Sequence, residues 1–158
     1  MDIPVRAGIV LGVLVVIWQF VIGFTGWYKD PVMMNAFFLV IVFEIAVIIW
    51  ALRKTCATAA YGRQVANGLV VSVVAGVLIV CGSLVFTTVA FPDYFKELEA
   101  AQVAMLKAQG LSDGDISTQV AAQAAMQTPI MNALSGFIGT VVTGLIVSAI
   151  AGAFLRRK

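Results

Sequence analysis

Four stretches of the chain are long and apolar enough to cross a lipid bilayer, and that feature leaves few folds open. They cover residues about 7–25, 31–52, 65–90 and 130–155, and a membrane-spanning helix needs about 20 residues. None contains Lys, Arg or Asp, and one ionisable carboxylate, Glu44, lies inside the second. In hydrocarbon every backbone N–H and C=O must be paired within the protein, so only helices and closed barrels can span it. These stretches are too long and too uniformly apolar for the alternating strands of a barrel. The predicted fold class is all-α: an integral membrane four-helix bundle, a single transmembrane domain over residues 1–158. Composition agrees, with 61% hydrophobic and 11% charged residues, whereas a soluble domain is about half apolar and a quarter charged.

The first stretch outruns a secretory signal core and ends in GFTGWYKD, without a small-x-small cleavage pattern, so it reads as a retained span. Trp27 and Tyr28 read as an interfacial aromatic anchor. Threading four spans puts Arg6, Arg53, Lys54, Arg63, Arg156, Arg157 and Lys158 on one side, and Lys29, Lys96 and Lys107 on the other. An excess of Lys and Arg marks the cytoplasmic face, so both termini are expected inside. Asp30, Asp93, Glu97, Glu99, Asp113 and Asp115 then all fall outside.

Residues 91–128 are expected to form a helical hairpin outside the membrane, between spans three and four. Pro92 suits a helix start, and Asp93, Glu97 and Glu99 crowd the turns where the helix dipole favours negative charge. Phe91, Tyr94, Phe95, Leu98, Met105 and Leu106 give one apolar face. Gly110 reads as a helix C-cap, and Ser112 with Asp115 as the N-cap of a second helix over about 113–126. Its outward charges are acidic, unlike those of helices that lie on membranes. The expected role is a connector packed on the protein's own helices or on a neighbouring subunit.

The YGRQVANG approach to the third span, the FPDYFKELEAAQVAMLKAQGLSDGDI run that leaves it and the last span closed by LRRK carry a family resemblance. The chain resembles a bacterial group of small membrane proteins, the domain-of-unknown-function group numbered four-one-nine-nine. The resemblance covers most of the chain. It is most specific in the P-D-Y-F run, the acidic amphipathic helix after it, the G-L-S-D turn and the final span. It implies four spans in a bacterial inner (cytoplasmic) membrane, and it implies no activity and no catalytic residues.

Small residues form the most regular pattern within the spans. Gly136, Thr140, Gly144, Ser148 and Gly152 recur every four residues in the fourth; Gly68, Ser72 and Gly76 do so in the third, and Gly8 and Gly12 in the first. Such stripes let helix backbones approach closely, so they predict a helix–helix seam, within one copy or between copies. Cys81, in the third span, reads as a small apolar packing residue.

Glu44 is the sharpest chemical feature. A carboxyl about 13 Å along the helix from Arg53 should point away from lipid. It should share its inward face with Phe37, Val40, Ile41, Val47, Ile48 and Ala51. A hydroxyl or amide of Ser72, Ser148 or Gln19 should lie within hydrogen-bond reach. Two roles stay open: a neutral acid serving packing, or a proton-loaded or cation-binding group on a path.

Catalysis finds little support. The chain has no histidine, the commonest general base and metal ligand, and no nucleophile elbow, zinc-protease motif or nucleotide loop. Glu97 and Glu99 point to different helix faces and read as a solvated surface. No cofactor, metal or nucleic acid is expected; the expected partners are membrane lipid and the protein itself or other membrane proteins. Two functions follow: a non-catalytic structural or accessory subunit of a membrane assembly, or a small oligomeric transporter or channel component with Glu44 on its path.

Overall fold

A computed structural model describes residues 2–57, 59–124 and 126–155. Among these every element is helical: α1 (Ile3–Thr25), α2 (Leu39–Thr55), α3 (Tyr61–Val85), α4 (Tyr94–Ala108), α5 (Asp113–Ala124) and α6 (Pro129–Leu155). Four are long and apolar enough to cross a membrane: α1, α2 with a preceding 3-10 turn, α3 with a following π turn, and α6. The chain is an all-α membrane helical bundle. Arg156, Arg157 and Lys158 lie outside the described residues.

Local chemistry moves several span ends. The first begins at Ile3 rather than near residue 7, because Pro4 sits in the first turn, where its missing N–H costs nothing. It ends at Gly26, whose left-handed backbone (φ 70°) suits a residue without a Cβ. The second opens as a 3-10 turn over Met33–Phe38. Asp30 accepts the N–H groups of Val32 (2.8 Å) and Met33 (3.1 Å) ahead of that turn, and the Trp18 indole donates to the Ala36 carbonyl at 3.0 Å. The third starts at Tyr61 and ends in a π turn over Phe86–Ala90. There the Thr87 and Thr88 hydroxyls donate to the carbonyls of Ser83 (2.8 Å) and Leu84 (2.6 Å), competing with the backbone ladder.

α3 is the central helix, packed on α6 along one side and α1 along another, while α2 closes the bundle between α1 and α6. In lipid, close packing rather than water exclusion holds helices together, and here glycine supplies the closeness. α1 and α3 run parallel: a Cβ at Gly8 would meet the Val71 carbonyl at 2.7 Å, and one at Gly12 would meet Leu78 Cβ at 2.8 Å. α6 runs antiparallel to α3, so the two four-residue stripes interlock. Gly152 faces Gln64, Ser148 seats against Gly68, Gly144 against Ser72, and Phe137 lies over Gly76, 2.6 Å from where its Cβ would stand. The expected seam therefore forms within one copy of the chain. It loosens toward the hairpin, where a Cβ at Gly136 would find Ile79 at 3.5 Å, an ordinary contact. Ala7, Leu11, Ile48, Leu52, Val71 and Ala75 fill the core between α1, α2 and α3. Cys81 is not part of it: it is exposed, beside the groove between α1 and α3.

The hairpin is formed as the sequence predicts. Gly110 takes the left-handed conformation (φ 80°) after α4. The Ser112 hydroxyl accepts the Asp115 N–H at 3.2 Å and donates to its carboxylate at 2.6 Å. α4 docks through aromatic contacts, Phe86 with Phe91 and Tyr94, and Tyr28 with Tyr94. The Tyr28 hydroxyl donates to Glu97, and Lys29 Nζ lies 2.9 Å from the same carboxylate. Both sequence readings change here: Tyr28 is buried beneath the hairpin rather than standing as an interfacial anchor, and Glu97, though still partly solvated, is paired. The Tyr28 hydroxyl and then Lys29 hold the Glu97 carboxyl below its usual range. Burial, and then Glu97, push the Tyr28 hydroxyl above its own. α5 packs chiefly against α4.

Candidate functional site

α2 turns one stripe inward. Ile48, Ala51 and Leu52 lie in the core, and Val40, Phe43 and Val47 are partly buried against it. This is the 3.6-residue spacing of a single helix face. Glu44 belongs to that stripe and is only 3% exposed. Phe37 and Ile41, expected on the same face, are instead exposed at 54% and 41%. Phe37 falls in the 3-10 turn, whose three-residue period rotates it out of register with the α-helical stripe. Ile41 sits on the flank of the stripe nearer the hairpin.

Glu44 lies where α2, α3 and α6 converge on Gly144. A Cβ on Gly144 would come within 3.3 Å of Glu44 Oε1 and 2.7 Å of Ser72 Cβ, so glycine makes room for both side chains. The expected hydrogen bonds are not made. Glu44 Oε1 has no partner among the described residues. Ser72 donates to the Gly68 carbonyl at 3.2 Å and Ser148 to the Leu145 carbonyl at 3.1 Å. A helical serine is satisfied by the carbonyl one turn behind it, and that local bond wins over a longer reach.

Ser148 lies one turn nearer the basic end than Ser72, its hydroxyl 2.8 Å from where a Gly68 Cβ would stand. Gln19 is elsewhere: its side-chain oxygen accepts the Ser83 hydroxyl at 3.1 Å. Ser83 is eleven residues beyond Ser72 on α3, about 16 Å farther toward the hairpin. The structure thus joins Glu44, Ser72 and Gly144, sets Ser148 a turn away and excludes Gln19.

Gln64 escaped the sequence reading. It is fully buried, donates its amide to the Leu52 carbonyl at 3.2 Å and accepts the Thr55 hydroxyl at 2.9 Å. It thereby satisfies a carbonyl in the last turn of α2, which the helix itself leaves unpaired. A signal was present, because Gln64 precedes Gly68 by four residues and extends the Gly68–Ser72–Gly76 stripe. With Thr140, also buried, these side chains make a column of polar groups along the α3–α6 seam, with Glu44 the ionisable member. Such a carboxyl can hold or release a proton. Among the described residues no group of three or more His, Cys, Asp or Glu side chains is placed to hold a metal ion.

A family model described as a protein of unknown function (DUF4199) matches residues 6–157. No curated protein and no solved structure matches the chain.

Proposed function

The chain belongs to this family of proteins of unknown function, and from its geometry we propose that it is a non-catalytic structural or accessory subunit of a membrane assembly. The observation that carries this reading is the α3–α6 seam. Gly68 against Ser148, Ser72 against Gly144 and Gly76 against Phe137 leave no room for a further methyl group, so one copy forms a packed body rather than a conduit. The hairpin supports the same reading, because α5 packs chiefly on α4 and leaves most of its side chains exposed for a neighbouring protein. The membrane is proposed to be a bacterial inner membrane with both termini cytoplasmic, on the strength of the basic residues at one end.

A second reading rests on a specific observation: the buried, unpartnered oxygen of Glu44 beside the polar column. Intramembrane carboxyls often mark ion or proton paths. In that reading several copies form a transporter or channel component. Purification from native membranes in mild detergent separates the two. The subunit reading expects other membrane proteins to migrate with the chain, and to remain with Glu44→Gln. Migration solely with copies of itself favours the oligomeric pathway.

A further inference from the structure

The basic end of the bundle carries a second kind of site, independent of the subunit reading. Ile45, Ile49 and Arg53 of α2 and Val147, Ile150 and Phe154 of α6 line an open apolar groove of about 360 Å³. The α2 residues are spaced by four, and the α6 residues by three and four, so each set forms one stripe along its helix. From Ile45 to Arg53 the groove runs about 12 Å along the helix axis. That is most of the depth of one leaflet, about 15 Å in a hydrocarbon core about 30 Å thick. Its apolar floor ends at a guanidinium.

Charge identifies what fits it. At the hairpin end each lysine has a carboxylate: Lys29 with Glu97 (2.9 Å), Lys96 with Asp93 (3.1 Å) and Lys107 with Asp113 (3.7 Å). At the other end Arg6, Arg53, Lys54 and Arg63 make no ion pair among the described residues, and the one carboxylate that the sequence places there is Asp2. Among the described residues none supplies an anion to Arg53, whereas anionic lipid headgroups attract basic residues at a membrane surface. A comparable groove between α1 and α3, lined by Val13, Ile17, Phe20, Leu78 and Cys81, has no basic residue in its wall.

We propose that the α2–α6 groove binds one anionic phospholipid, with an acyl chain along Ile45, Ile49 and Ile150 and its phosphate on Arg53. Arg is suited to this because its planar fork can donate two hydrogen bonds to one phosphate.

The test is native mass spectrometry of the delipidated full chain, titrated with phosphatidylglycerol or with phosphatidylcholine of the same acyl chains. The wild type should retain one phosphatidylglycerol roughly fivefold more tightly than phosphatidylcholine, the preference expected of one surface cation. Arg53→Gln should bring the two lipids to parity; its side chain is exposed and makes no ion pair among the described residues, so the fold should tolerate the change. Ile150→Trp should lower retention of both lipids by filling the groove, and Ile17→Trp in the uncharged groove should leave the preference unchanged. Equal retention of both lipids by the wild type, a preference that survives Arg53→Gln, or unsaturable adducts of many lipids would overturn the assignment.

Discussion

Glu44 keeps one carboxyl oxygen without a hydrogen bond among the described residues, in a junction where Ser72 has satisfied itself locally, as Ser148 has a turn away. An unpaired buried polar group costs stability, and an apolar group of similar shape can replace it without loss. Glu44→Leu is therefore expected to leave thermal stability in detergent unchanged or to raise it, and a marked fall would mean that the carboxyl is bonded after all. Gln64 is the opposite case. Its two hydrogen bonds join the end of α2 to the start of α3, so Gln64→Ala should cost about 1–2 kcal/mol, read in the same melting assay. The sequence marks Glu44 as inward because charge and lipid are incompatible. It does not show which hydroxyls will turn back on their own helices, because that competition is settled within a turn of backbone. Gln19 was misplaced since length fixes depth only once neighbouring helices are known. Gln64 is hard to read from sequence because a glutamine near a span end suits an interfacial position as well as a buried one.

At the scale of elements, the four-residue stripes carried the most information. They point to close approach because small residues at Gly136, Thr140, Gly144, Ser148 and Gly152 in register let two backbones meet, and α3 answers with Gly68, Ser72 and Gly76. Which helix partners which was not legible, since a stripe can equally serve a second copy. Gly144→Leu should force α3 from α6 and cost at least about 2–3 kcal/mol by overpacking, seen as a lower melting temperature in detergent. Gly139→Leu is the control, because nothing lies within 4 Å of a Cβ there. The π turn and the Tyr28–Glu97 contact were invisible in the spacing, one arising from paired threonine hydroxyls and the other from residues 69 positions apart. That contact makes hairpin docking pH-dependent. Docked Glu97 binds its proton less readily than undocked Glu97, so its contribution is present above the ordinary carboxylate range and is lost as pH falls through the depressed value. Amide exchange in α4 should accelerate below about pH 4, and Glu97→Gln should remove that pH dependence. Acceleration of equal size in the variant would assign it to other groups.

For the whole molecule, hydropathy alone set four helices across the membrane, and the bundle then follows from where glycine allows contact. The basic residues divide the molecule into one end where Arg6, Arg53, Lys54 and Arg63 make no ion pair among the described residues and one where lysines are matched by carboxylates. With that polarity, a reporter fused after Ala60 should read cytoplasmic and one after Gly110 external; the reverse pattern would invert the orientation. We propose that one chain seals Glu44 inside a packed bundle, as a subunit would, rather than placing it on a conducting path. The most direct test is proton influx into dye-loaded vesicles reconstituted with the purified chain under an imposed membrane potential. Wild type, Glu44→Gln and protein-free vesicles should show the same influx. Influx that requires the wild-type chain and disappears with Glu44→Gln would contradict it.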